Sequence, residues 1–89
     1  MSLAVKRRKA RNRRRELIRL AQANRCALCG ERLGSTKPTF EHVQPRARGG
    51  RSHRNIVLTH ENCNQRRADA PPTGCLLIML EVVNAMVPA

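Results

Sequence analysis

The apolar positions of this chain change their spacing from one stretch to the next, and each spacing predicts a different element. From about residue 4 to residue 23 there is no glycine or proline, and Arg, Lys, Ala, Leu and Glu are all good helix formers. The apolar residues Leu17, Ile18, Leu20 and Ala21 cluster in the second half of that stretch. One helix is expected, its first half a basic arm and its second half packed on the domain. The alternative is a disordered basic tail through about residue 14. Residues 26–38 read as a cysteine knuckle and loop, turned by Gly30, Gly34 and Pro38. Thr39 to Val43 is a short strand candidate. A basic loop with a Gly49-Gly50 turn occupies residues 44–54 and includes His53 as a loop residue. Ile56-Val57-Leu58 is a second short strand, and His60 to about Asp69 reads as a helix ended by Pro71-Pro72.

Thr73 can then cap a last helix of roughly 73–86. It is almost all apolar, with Glu81 and Asn84 as the interruptions. A membrane span needs about 20 apolar residues, so this helix is too short and no membrane partner is expected. It is expected to cover the sheet or the first helix. The sharper alternative is a homodimer or protein-partner surface, because a helix apolar on most faces needs cover on most faces. Cys75 lies within it and reads as a small buried hydrophobe with no metal role.

Composition makes the core look weak. There is one phenylalanine and no tryptophan or tyrosine, and aromatic side chains bury the most surface per residue. A domain of 89 residues with such a core is expected to need a staple. Four cysteines are present, and their placement argues for metal. Cys26 and Cys29 form a C-x2-C pair, and His60 and Cys63 an H-x2-C pair. Zinc takes four tetrahedral Cys and His ligands, and residues three apart in a tight turn or at a helix start can face one ion. Binding a structural zinc contributes about 10–16 kcal/mol in small fingers. The arginine-rich N-terminus lacks the continuous apolar stretch of a secretory signal, so reduced thiols in the cytoplasm are expected rather than a disulfide framework.

The net charge of +12 favours a polyanion. Arg46, Arg48, Arg51 and Arg54 crowd the loop between the two strands, and Arg66 and Arg67 follow Asn64 on the predicted helix. Such residues bind phosphate oxygens, which adds affinity but little sequence information. With a single aromatic residue, base stacking on single strands is not the expected mode, and duplex DNA read weakly or not at all for sequence is favoured.

The order of the motifs resembles a known family. Cys26-x2-Cys29 is followed by Glu41-His42-Val43-x-Pro45, Gly49-Gly50, Asn55-Ile56-Val57-Leu58 and His60-x2-Cys63-Asn64. This pattern, over residues 25–68, resembles the HNH endonucleases. The resemblance implies an α+β fold: a small ββα-metal (His-Me finger) core stapled by a structural zinc, with flanking N-terminal and C-terminal helices. Its divisions would be a basic arm at 1–24, the nuclease core at 25–70 and the apolar helix at 71–89. It implies that His42 is the general base and that Asn55 holds the loop and orients His42. Glu41 and Asn64 would hold a catalytic magnesium or manganese, other divalent ions remaining open. The product would be a nick with 5′-phosphate and 3′-hydroxyl ends, in the cytoplasm of a bacterium or a phage-infected cell. Glu41 stands where the family more often has Asp, and His60 where a second zinc cysteine is common.

The chemistry agrees with that implication. Phosphodiester hydrolysis needs an activated water, charge relief on the phosphate and a stabilised leaving oxygen. One metal ion can serve the last two, and an imidazole, which titrates near neutral pH, can serve the first. Neighbours on a strand point to opposite sides, so the sequence leaves open how Glu41 and His42 share one site. Two alternatives remain at this stage: a non-catalytic zinc-stapled module that binds nucleic acid, and a phage packaging accessory protein.

Overall fold

The computed structural model describes residues 2–34, 37–44 and 53–88. The expected Gly49-Gly50 turn and the candidate phosphate ligands Arg46, Arg48 and Arg51 lie outside these residues.

Helix α1 runs over Leu3–Ala21, and the basic first half is helical with the rest. Ser2 starts it, its hydroxyl accepting a bond from the Val5 amide at 3.2 Å. Ala23 and Asn24 end it by turning into the left-handed region, at φ 53° and 57°. The chain then doubles back through the cysteine knuckle, closed by a single antiparallel bridge between Arg25 and Arg32.

Strands β1 (Thr39–His42) and β2 (Ile56–Thr59) form a two-stranded antiparallel sheet. The register pairs Thr39 with Thr59, Phe40 with Leu58, Glu41 with Val57 and His42 with Ile56. One 3₁₀ turn, His53–Asn55, leads into β2. Helix α2 (Glu61–Arg67) follows and packs on β1. Helix α3 (Gly74–Met86) packs on β2, on α1 and on the 3₁₀ turn. The centre of the molecule is therefore a ββα unit, β1-β2-α2, with α1 and α3 closing the far side of β2.

The core is small and aliphatic. Ile18 of α1, Val57 and Leu58 of β2, and Leu76 and Val83 of α3 are fully buried, together with Val43 just past β1. Leu76 and Val83 are two helical turns apart, so α3 buries one stripe and covers β2 and α1, as a core helix would. Its other apolar side is open: Ile78 is 64% exposed and Met86 63%. Cys75 is also exposed, not a buried hydrophobe, because it sits one residue off the buried stripe. The expected Thr73 cap is present, its hydroxyl 3.3 Å from the Leu76 amide. Among the described residues no helix is long and apolar enough to cross a membrane.

Side-chain amides tie the elements together where a wider sheet would use more strands. Gln22, at the end of α1, accepts from the Leu58 amide at 2.8 Å and donates to the Leu58 carbonyl at 2.9 Å. The same side chain donates to the Arg25 carbonyl at 2.8 Å, so one buried glutamine joins α1, the knuckle and β2. Across the molecule, Asn84 of α3 donates to the Arg54 carbonyl at 2.7 Å and its own carbonyl accepts from the Arg54 guanidinium at 2.9 Å.

Candidate functional site

The knuckle and the start of α2 bring Cys26, Cys29, His60 and Cys63 together, with all four ligand atoms within 4.8 Å of one another. The knuckle is tight: the Cys26 amide bonds the Glu31 carbonyl at 2.8 Å, and the Gly30 amide bonds the Cys26 carbonyl at 2.9 Å. Gly30, at φ +78°, takes the left-handed step that this turn needs. His60 is the extended residue that starts α2, and Cys63 lies one turn into the helix. Nδ1 of His60 is 3.4 Å from the Cys29 sulfur and 3.8 Å from the Cys63 sulfur. Edges of that length match a zinc tetrahedron, whose arms of about 2.3 Å to sulfur and 2.0–2.1 Å to nitrogen give ligand separations of roughly 3.5–3.8 Å.

The other ring nitrogen fixes the tautomer. Nε2 of His60 lies 2.8 Å from the Arg32 carbonyl, which can only accept, so Nε2 carries a proton and a neutral His60 would turn its Nδ1 lone pair to the sulfurs. Burial pushes the Cys26 thiol up. Amide bonds from Cys29, His60 and Leu28 outweigh it and bring the thiol down to about 7. The donor set of three sulfurs and one imidazole, half of it buried, fits a structural zinc.

A second centre lies on the next residue of α2. Cys63 faces the sulfurs, while Asn64, about 100° further round the helix, faces β1, with its amide nitrogen 3.4 Å from the Phe40 carbonyl. Thr39, Phe40, Glu41, His42, Asn64, Ala68 and Asp69 line a cleft of about 420 Å³. Glu41, His42 and Asn64 thus share one space, although Glu41 and His42 are strand neighbours. His42 is the last residue of β1 and stands at the strand end, while Glu41 is turned inward and is 6% exposed.

The inward carboxylate meets Arg67. Its Oε2 is 3.4 Å from Arg67 Nη1, an ion pair too poorly aligned for a good hydrogen bond, so this buried oxygen is left without a well-placed donor. Burial pushes the Glu41 carboxyl above its ordinary value, and the Arg67 charge pulls it back only partly. A buried carboxylate oxygen with no well-placed donor, in a cleft with an amide side chain, fits a hard divalent ion such as magnesium or manganese.

Asn55 grips the backbone that leaves β1. Its side chain accepts from the Gln44 amide at 2.9 Å and donates to the Gln44 carbonyl at 2.8 Å, while its carbonyl accepts from the Val43 amide at 2.9 Å. It therefore holds the segment immediately after His42.

The arginines divide in a way their spacing does not predict. Arg67, expected on a phosphate-binding surface, has a side chain only 6% exposed. It donates to the carbonyls of His42 at 2.9 Å, of Ala70 at 2.9 Å, and of Val43. Arg54 is half-buried and tied to α3. Arg66 is exposed, with one guanidinium nitrogen 3.5 Å from the Cys63 sulfur. The reason for the difference is local: Arg67 lies three residues past Asn64 and shares its strand-facing side, whereas Arg66 lies three past Cys63 and turns toward the cluster.

Three features of the site have no clear mark in the sequence. Gln22 looks like any polar residue at a helix end. Asp69 lies beyond the motif, yet it helps to line the cleft. Arg15 is buried on α1 with its guanidinium 4.6 Å above the Phe40 ring, which joins the basic helix to a wall of the cleft. A cation over the only phenyl ring of the chain is a contact that no spacing rule could signal.

A family model described as HNH endonuclease matches residues 26–69, the span that holds the four-ligand cluster, both strands, α2 and every residue of the cleft. No curated protein and no solved structure matches the chain. The α+β architecture, the ββα centre and the Cys/His cluster agree with this match, and residues 26–69 form an HNH endonuclease domain.

Proposed function

We propose that this protein is a divalent-metal-dependent endonuclease that hydrolyses phosphodiester bonds of duplex DNA, with His42 as its general base. The observation that carries this reading is the cleft that gathers Glu41, His42 and Asn64 on one side of α2 while the Cys/His cluster staples the other. In this reading zinc is structural, held by Cys26, Cys29, His60 and Cys63 in the cytoplasm, where thiols stay reduced.

Glu41 and Asn64 would hold the catalytic ion. When bound, it relieves charge on the phosphate and stabilises the leaving oxygen. His42 takes a proton from the attacking water, whose oxygen forms the new bond to phosphorus as the bond to the 3′ oxygen breaks. Asn55 keeps the strand end in place, and with it the imidazole. By analogy with the family, the ends are a 5′-phosphate and a 3′-hydroxyl.

The basic surface engages the rest of the duplex. Arg7, Arg8, Lys9, Arg11 and Arg13 are exposed on α1, a 19-residue helix about 28 Å long. Its first turn carries no acidic residue, so like charges crowd the helix and its positive dipole end, an arrangement that an anionic partner relieves. Arg66 would add a phosphate contact from α2, and Arg46, Arg48 and Arg51 are proposed as phosphate ligands from their sequence positions alone. Arg54 and Arg67 belong to the fold instead.

Supercoiled plasmid incubated with zinc-loaded wild type and His42→Ala, with and without magnesium or manganese, tests the reading. Nicking by wild type alone, and only with added ion, is expected. If both proteins bind the plasmid and neither nicks it, a binding module replaces the nuclease. The open apolar side of α3 favours a second reading, an accessory subunit that works through a protein partner or a second copy. A concentration-independent monomer by sedimentation would remove the second-copy form of that reading.

A further inference from the structure

We propose that Arg67 is a positioning residue of the cleft, which sets how tightly the cleft takes its divalent ion and how firmly the strand end carrying His42 is held. The proposal rests on the nuclease reading above and assigns to Arg67 a part in it other than phosphate binding.

The geometry is unusual for an arginine in so basic a chain. One guanidinium bridges the carbonyls of His42 and Val43 at the end of β1, and the carbonyl of Ala70 beyond α2. The same Nη1 that bonds His42 sits 3.4 Å from Glu41 Oε2. Both side chains are more than nine-tenths buried. Arginine's planar fork can meet several carbonyls at once, which a lysine ammonium on a flexible stem cannot do in the same way. Arg67 thus ties the candidate base and the candidate metal ligand to α2 by one group.

Two consequences point in opposite directions. The guanidinium is a fixed cation beside a carboxylate proposed to hold another cation, so it competes with the ion for Glu41. A like charge at such a distance weakens binding by about tenfold. The carbonyl bonds, in contrast, hold the backbone of His42. Displacing a catalytic group by even about 1 Å can cost about 100-fold in rate. Removing Arg67 should therefore tighten ion binding and slow the reaction. A residue that only supported the fold would move both the same way or move neither.

The experiment uses the zinc-loaded full chain. Manganese affinity is read from the paramagnetic resonance of free Mn²⁺, and plasmid nicking is measured at saturating Mn²⁺. Zinc content and thermal melts control for folding. Arg67→Met is expected to bind Mn²⁺ about tenfold more tightly and to nick about tenfold more slowly or worse. Arg67→Lys keeps the charge and loses part of the carbonyl bridge. Its Mn²⁺ affinity should stay within about threefold of wild type, by the same charge argument, while its nicking slows. Unchanged or weaker Mn²⁺ binding by folded Arg67→Met overturns the proposal. So does wild-type nicking by Arg67→Lys, which decides the matter if the Met variant does not fold. Failure of wild type to bind Mn²⁺ and to nick would instead overturn the nuclease reading itself, and this proposal with it.

Discussion

Cys63 and Asn64 are adjacent on α2, yet they face centres built on opposite terms. At the Cys/His cluster the protein supplies a full set of four donors and fixes them in advance. The Arg32 carbonyl sets the His60 tautomer, and the amides of Leu28 and His60 point at the Cys26 sulfur. At the cleft the donors are fewer, the carboxylate is buried with one oxygen lacking a well-placed hydrogen-bond donor, and an arginine stands beside it. A closed donor set suits a metal that holds the fold, whereas a set completed from outside suits a metal that must meet water and substrate. The supporting amides divide the same way. Gln22 braces the knuckle against β2, and Asn55 braces the strand end beside His42. Stability should therefore reside at one centre and chemistry at the other.

The hardest blow to that division comes from the zinc side. Cys29 is exposed, so Cys29→Ser removes a ligand without opening a cavity. The variant is expected to lose both zinc and its cooperative melt, because the ion contributes about 10 kcal/mol or more to so small a domain. A cooperative melt without metal would show that packing alone holds this fold.

The cleft should respond in the other currency. His42→Ala is expected to lower nicking by about 100-fold or more, the usual contribution of a general base, with Tm and zinc content unchanged. A Tm loss that tracked the loss of activity would blur the two centres into one structural unit.

The braces sharpen the contrast. Gln22→Ala leaves the Leu58 amide unsatisfied in the core and should cost about 2 kcal/mol, or roughly 10 °C in Tm. Asn55→Ala should slow nicking at a smaller cost in stability, since its bonds lie in a half-buried strand end. Equal Tm losses with equal rates would contradict the division.

The smallest effect concerns pH. Burial raises the Glu41 carboxyl despite Arg67, so the folded chain holds that proton more tightly than the unfolded one. The stability linked to it is complete below the unfolded value and is lost as pH rises through the folded one. Without added magnesium or manganese, Glu41→Gln should therefore gain Tm relative to wild type as pH rises from acid to neutral. Parallel Tm curves for the two proteins would show that the cleft carboxylate is not held under this burden.

Much of this organisation was legible beforehand, for a physical reason in each case. The helix bounds followed from glycine, proline and capping positions, as Thr73 at the start of α3 illustrates. The Cys/His cluster was legible because two residues three apart on one turn can share a side, whatever the rest of the chain does. The pairing of Glu41, His42 and Asn64 came from the family pattern, since strand alternation alone would have separated the first two. The fates of Arg54, Arg67, Gln22 and Cys75 were not legible. Each depends on which element lies across from it, and a basic, amide or thiol side chain carries the same letter whether it faces water or a carbonyl.

The sequence by itself determined the elements, the two half-sites of the metal cluster and the excess of positive charge. These are local properties: spacing, capping and composition act within a few residues and survive any arrangement of the whole. Tertiary structure alone decided that adjacent residues of α2 would face the Cys/His cluster and the cleft, that the cleft carboxylate would be buried against Arg67, and that α3 would leave one apolar side open. Those outcomes depend on burial and on partners far along the chain, which are set only when the helices close around two short strands.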